Sequence, residues 1–169
     1  MAASKTLILD HDRIIQKVNR IAYQIFEDNY TEKEIIIAGI APKGFQFAEL
    51  LSETLKSISK IKIQLVELKI KKDNPIDSKI ELSLNEKDLS EKVIIVVDDV
   101  LNSGRTLIYG VNYFLNGPIK KLSTAVLVNR NHRRFPISAD YVGVSLSTTL
   151  QDHVEVFFSP SGTHTVHLK

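Results

Sequence analysis

The chain has 169 residues, 43% hydrophobic and 25% charged, which suits one globular domain with a full core. A formal charge of +2 is too small to argue for nucleic-acid binding by itself, and the absence of cysteine excludes disulfides and thiolate metal sites. Met1-Ala2-Ala3-Ser4-Lys5 lacks a signal peptide's apolar core and no apolar run approaches a membrane span, so a cytoplasmic protein is expected.

Residues 6–9, Thr-Leu-Ile-Leu, predict a short leading strand. Asp10 or Asp12 can cap the helix that follows. Ile14, Ile15, Val18, Ile21, Ala22, Ile25 and Phe26 form one helical stripe, which predicts a helix over 11–29. Its polar face carries Arg13, Lys17 and Arg20 and reads as solvated. An apolar run over 34–40 predicts a buried strand. It breaks at Gly39-Ile40-Ala41-Pro42-Lys43-Gly44, and a helix bearing Phe45, Phe47, Ala48, Leu51 and Leu55 follows. Residues 61–70 predict another strand. The stretch after it, Lys71-Lys72-Asp73-Asn74-Pro75-Ile76-Asp77-Ser78, is charged and turn-rich, and 80–84 reads as a strand returning from it.

The centre of the chain is Val93-Ile94-Ile95-Val96-Val97-Asp98-Asp99-Val100-Leu101-Asn102-Ser103-Gly104-Arg105-Thr106. Five apolar, mostly β-branched residues predict a strand buried on both faces of a parallel sheet. Two carboxylates follow where such a strand would leave the sheet, and a helix over 104–116 comes after the small-residue turn. Ligands of open α/β sheets lie beyond the carboxyl ends of the strands. Gly104 permits a tight turn and close backbone approach. The amides of residues 102–106 open a helix, and a helix N-terminus attracts phosphate. Ser103 and Thr106 add hydroxyls, and Arg105 adds positive charge. Asp98 and Asp99, acceptors only when ionised, suit sugar hydroxyls or a hydrated Mg²⁺. A phosphate cradle beside a hydroxyl clamp points to a phosphorylated sugar. Two carboxylates directly after a buried run are costly unless something binds them.

The helix stops at Asn116-Gly117-Pro118. Residues 121–129 predict a strand, and Arg130-Asn131-His132-Arg133-Arg134 follows its end with more positive charge than a turn requires. Short strands are predicted at 141–144 and 154–158, with a turn at Pro160-Ser161-Gly162 and a partner strand at 163–168. The order implies an α/β fold, a parallel β-sheet flanked by helices on both faces, with the small extra strands as a cap over the carboxyl-end crevice. His164 and His167, three apart on a strand, face opposite sides, so the histidines do not predict a metal site. His11 reads as helix surface, and His132 lies near the crevice.

The string from Val93 to Thr106 closely resembles the phosphoribosyl diphosphate (PRPP) motif of type I phosphoribosyltransferases, an apolar strand, Asp-Asp, then a Thr/Ser-Gly-x-Thr loop. The stretch Asn129-Arg130-Asn131-His132-Arg133-Arg134-Phe135-Pro136-Ile137-Ser138-Ala139-Asp140-Tyr141-Val142-Gly143 further resembles the hood of the pyrimidine operon regulator family, RNA-binding attenuation proteins that also have uracil phosphoribosyltransferase activity. Asn129, Asn131, Ser138, Val144, Lys43 and Lys71 depart from that family's pattern. Lysine keeps the charge of arginine and loses its two-pronged phosphate grip.

The resemblance implies one Rossmann-like phosphoribosyltransferase domain over 1–169, with a hood mainly from 130–169 and a mobile loop at about 71–79. It implies transfer of ribose 5-phosphate from PRPP to a nucleobase with loss of pyrophosphate, Mg²⁺ as cofactor, and a homodimer. Asp98 and Asp99 would hold the ribose and, through water, the Mg²⁺. Asn102, Ser103, Gly104, Arg105 and Thr106 would hold the 5′-phosphate. Ala41, Pro42, Lys43, Gly44 and Lys71 would hold pyrophosphate. Arg130, Asn131, Tyr141 and Val142 would meet the base, which is uracil as a first expectation, with another pyrimidine or a purine open. The alternative is a regulator that uses this site as a sensor and binds RNA through Arg13, Lys17, Arg20, Arg133 and Arg134.

Overall fold

A computed structural model describes residues 5–169. The elements in order are β1 (Thr6–Leu9), α1 (His11–Asn29), β2 (Glu34–Ile40), α2 (Lys43–Ile58), β3 (Lys62–Lys69), β4 (Glu81–Leu82), a 3-10 turn (Glu86–Leu89), β5 (Val93–Leu101), α3 (Arg105–Leu115), β6 (Lys121–Asn129), β7 (Tyr141–Ser145), β8 (Val154–Phe157) and β9 (Thr165–Leu168).

Six strands form the main sheet in the order β4-β3-β2-β5-β6-β7. All its pairs are parallel except β3–β4. β5 lies in the middle, and its apolar run from Val93 to Val97 is buried. One face carries Ile35, Ile37, Ile95, Val97 and Leu127 against α1 and α2. The other carries Ile36, Ile40, Ile94, Val96 and Val126 against Leu107 and Phe114 of α3. The period of two along each strand thus sorts alternate β-branched residues onto opposite cores.

A second sheet of three strands, β1-β9-β8, is antiparallel throughout. Val156, Phe158 and Val166 join the α1–α2 core, and Phe158 stacks on Phe47 with ring centroids 6.5 Å apart. This small sheet differs from the expected hood in two ways. One of its two outer strands is the N-terminal β1, and β7 is absent from it. β7 instead extends the main sheet, because Ala125–Tyr141 and Val128–Val144 keep it in parallel register with β6.

β5 also runs further than its apolar run implies. Asp98 pairs with Val126 and Leu101 with Asn129, so the two carboxylates belong to the strand. The equally long β6 supplies backbone partners to the end. His11 is half-buried, not helix surface, with its ring 5.1 Å from that of His164 and its Nδ1 accepting from the His164 amide at 3.3 Å. No helix among the described residues is long and apolar enough to cross a membrane.

Candidate active site

Three helices leave strands, and their first turns differ. α1 is capped, with Asp10 accepting from the Arg13 amide at 2.9 Å. Neither Pro42 nor Gly104, the cap residues of α2 and α3, offers a side-chain cap, and the first amide of α3, that of Arg105, donates to Ser103 Oγ at 3.3 Å. Both begin at the carboxyl ends of central strands, β2 and β5, so their open N–H groups face the crevice. Uncapped amides at a helix start make a ready anion site.

The turn into α3 is built around Gly104. Its φ is +83°, a left-handed conformation that disfavours side chains, and a Cβ there would come within 2.6 Å of Ile137 Cγ2. The Arg134 and Phe135 amides donate to the Ser103 carbonyl at 2.8 and 3.0 Å, and the Arg130 amide donates to the Leu101 carbonyl at 3.0 Å. The segment after β6 therefore clamps the loop. The loop itself bounds a small cavity of about 80 Å³ lined by Lys72, Asp98, Asn102, Ser103, Gly104, Arg105 and Thr106, among others. All five residues expected to hold a phosphate share this cavity.

The turn into α2 touches the same place. A Cβ on Gly44 would sit 2.8 Å from the Val97 carbonyl and 2.9 Å from Asp98 Oδ1, so only a hydrogen fits between α2 and the acidic strand end. Gly44 is thereby held against Asp98, at the end of a turn whose Ala41–Pro42 peptide bond is cis. Lys71 lies on the far side of this turn. With Ala41, Pro42, Lys69 and Lys79 it lines a separate, open pocket of about 380 Å³. A wider groove of about 750 Å³, bounded by Phe26, Tyr30, Lys33, Ser57 and Lys60, touches none of these residues.

Asp98 and Asp99 are both buried, at 3% and 6% exposure. The Asp98 carboxylate accepts from the Asp99 amide at 2.9 Å. Burial, then the adjacent Asp99 charge, hold the Asp98 carboxyl well above the ordinary carboxylate range. One cation answers them: Lys72 Nζ lies 3.5 Å from Asp98 Oδ1 and 3.9 Å from Asp99 Oδ1. The sequence named Lys71 for the site; the structure adds Lys72, its neighbour. Composition could mark both lysines at the loop start, and only the loop's path decides which one turns inward.

The four expected base contacts separate. Arg130 is buried and donates to Thr148 Oγ1 and to the Thr149 carbonyl, both at 2.9 Å. His132 Nε2 lies 2.7 Å from the Thr148 carbonyl oxygen. These two side chains fasten the segment after β7, which sequence reading left unassigned. Asn131 is exposed beside them, with φ +61°. Tyr141 and Val142 do not join them. They open β7, whereas its crevice end is Ser145, paired with Asn129. The Tyr141 hydroxyl donates to Asp28 at 2.6 Å, and burial with that carboxylate pushes the phenol's pKa up. The Val142 carbonyl accepts from Arg20. The parallel register of β7 sets Tyr141 beside Ala125 and Val142 beside Val126, the partner of Asp98, and Asp28 and Arg20 of α1 take their polar groups.

Comparisons with known proteins place the chain in a family. Residues 4–161 match the phosphoribosyl transferase domain family. The chain is 34% identical over 163 residues to the bifunctional protein PyrR of Haemophilus influenzae, covering 89% of each chain. It is 30% identical over 164 residues to the protein of the same name from Fusobacterium nucleatum, covering 93% of each. A hypoxanthine-guanine phosphoribosyltransferase from Bacillus anthracis has a similar fold, with a TM-score of 0.70 at 24% identity over 83% of both chains. The hypoxanthine phosphoribosyltransferase of Trypanosoma cruzi gives 0.72 at 17% identity, over 83% of this chain and 81% of that one. At those identities the structural likeness speaks for the fold alone. Fold, sequence similarity and the matched domain agree: the chain belongs to the type I phosphoribosyltransferase family, among relatives of the bifunctional PyrR proteins.

Proposed function

We propose that this protein transfers ribose 5-phosphate from PRPP to a ring nitrogen of a nucleobase, with uracil the first candidate, and releases pyrophosphate. The observation that carries this reading is the meeting of two uncapped helix starts at one buried acidic pair, with Gly44 against Asp98 and residues 102–106 beside it. The cavity at 102–106 is the size of a single phosphate group, and open amides, the Ser103 and Thr106 hydroxyls and Arg105 meet its charge. Asp98 and Asp99 accept from the ribose hydroxyls. The turn at 41–44 and Lys43, with Lys71 behind it, take the leaving pyrophosphate. The base lies past the ends of β6 and β7, near Asn131 and the segment that Arg130 and His132 fasten.

In this reaction a base nitrogen bonds to the ribose C1 as the C1–oxygen bond breaks, the electron pair leaves on pyrophosphate, and the proton of that nitrogen passes to pyrophosphate or water. Fixed charges placed around a developing ribosyl cation and a leaving polyanion do most of the work. Mg²⁺ fits the acidic pair, whose donors are all hard oxygens and which already faces an ammonium group. Asp98 and Asp99 would hold it through water, and it would supply positive charge against the leaving pyrophosphate.

Pyrophosphate release from PRPP and Mg²⁺ in the presence of uracil, hypoxanthine, guanine, adenine or orotate tests the proposal. Release that depends on one base, and is lost in Asp98→Asn/Asp99→Asn, supports it. No release with any base refutes it. A second reading, RNA binding, draws on the PyrR relatives and on Arg13 and Lys17 of α1. Arg20 is engaged with the Val142 and Gly143 carbonyls, which thins that surface. Specific RNA contacts would show affinity falling steeply as salt rises.

A further inference from the structure

We infer that Lys72 is a tethered counter-ion for the acidic pair: in the ligand-free protein its ammonium group holds the place of a divalent cation, and it must move before that cation enters. The inference rests on the reading of this site as a PRPP site. Three observations carry it. First, one Nζ lies within 4.0 Å of a carboxylate oxygen on both Asp98 and Asp99, and these contacts are the only ion pairs that either carboxylate makes among the described residues. Second, Lys72 belongs to neither strand nor helix. It follows β3, two strands from β5, and its side chain is 43% exposed while the acids are buried. The loop's own side-chain bonds are local, from Asn74 to Asp77 at 2.7 Å and from Ser78 to the Asn74 carbonyl at 2.9 Å. Third, Lys72 also lines the small cavity at 102–106, so its ammonium has an anion site within reach when it leaves the acids. Lys71 and Lys79 line the other pocket.

The consequence is an order of binding. A cation arriving alone must displace Lys72 from two carboxylates. A cation arriving with PRPP does so cheaply, because the substrate's phosphates attract the released ammonium. Lys72 therefore couples cation and anion positively, and the coupling is reciprocal.

Titration of magnesium chloride alone into the ligand-free protein, followed by calorimetry, tests this directly. Lys72→Met is expected to bind Mg²⁺ about threefold to tenfold more tightly than the unaltered protein. Lys60→Met, altered at an exposed lysine of the separate groove beside Tyr30, is expected to match the unaltered protein. Mg²⁺ alone should also raise the melting temperature of Lys72→Met by more than it raises that of the unaltered protein. Affinity for PRPP with Mg²⁺ should move the other way and weaken. If Lys72→Met does not fold, Lys72→Gln carries the same expectations. Equal Mg²⁺ affinities with and without Lys72, undetectable binding in both included, overturn the inference. Failure of the unaltered protein to bind PRPP with Mg²⁺ refutes the reading of the site instead, so the two failures are distinct.

Discussion

The turns into α2 and α3 solve one problem with opposite chemistry. Each follows a buried parallel strand, passes through a residue with no room for a side chain, and opens an uncapped helix toward the crevice. The turn after β5 is enclosed. Two buried carboxylates precede it, and Arg130, Arg134, Phe135 and Ile137 close over it. The turn after β2 is open, carries no carboxylate of its own, and borders a pocket lined by three lysines, Lys69, Lys71 and Lys79, and by one carboxylate, Glu81. The difference teaches how one crevice can hold a substrate with two unlike ends. On the proposed function, the enclosed turn takes the single phosphate and the sugar, and the open turn takes the polyanion that leaves.

The comparison breaks most severely if the acidic pair is not the reaction's centre. In Asp98→Asn/Asp99→Asn, pyrophosphate release should fall by about a thousandfold, as expected when preorganised charge is removed. A smaller loss in a steady-state assay would mean that the pair is structural. Next in size is the enclosed turn. Gly104→Ala forces a side chain into a left-handed backbone and against Ile137, so it should destabilise the fold by roughly 1–3 kcal/mol and raise the KM for PRPP. Thermal unfolding and kinetics read the two effects separately. At the open turn Lys43→Ala should raise the KM for PRPP about tenfold with little change in melting temperature, because a charge-assisted contact to substrate is lost and no core contact is.

Asp98 also makes the enclosed end a stability liability. Its carboxyl is raised in the folded protein, so between that value and the ordinary value of the unfolded chain the folded state binds the extra proton. Stability from this group therefore rises as pH falls through that window, and the burden is full above it. Asp98→Asn should stabilise the ligand-free protein on the order of 1 kcal/mol at neutral pH. That gain should shrink on acidification, which denaturant melts across pH would show. Glu155 works in the opposite sense, because the Lys169 and Lys5 ammonium groups lower its pKa to about 2. Its support is present above the usual carboxylate range and fades as pH falls, and comparing the two proteins cancels it. The smallest effect is expected at Tyr141→Phe. Loss of the bond to Asp28 should cost about 1 kcal/mol and leave the KM for the base unchanged. A raised KM would return Tyr141 to the base site.

The sequence by itself carried the elements and half of the site. Strands and helices were legible because burial imposes a period of two or 3.6 on residues such as Ile94 to Val97 or Ile14 to Ile25. The loop at 102–106 was legible because a buried strand, two acids and a glycine turn are contiguous, and contiguity needs no tertiary knowledge. What only the tertiary structure decided was register and reach. Whether β7 joins the main sheet or the small sheet depends on pairing between strands, and that choice sets Val142 beside Val126 and Ser145 beside Asn129 at the crevice edge. β1 joining the small sheet depends on its long-range pairing with β9. Of two adjacent lysines, Lys72 faces the acids and Lys71 the outer pocket, because the path of a loop over the end of β2 fixes which side chain turns inward. Local pattern records which residues a chain buries; long-range pairing selects which of the remaining polar groups meet.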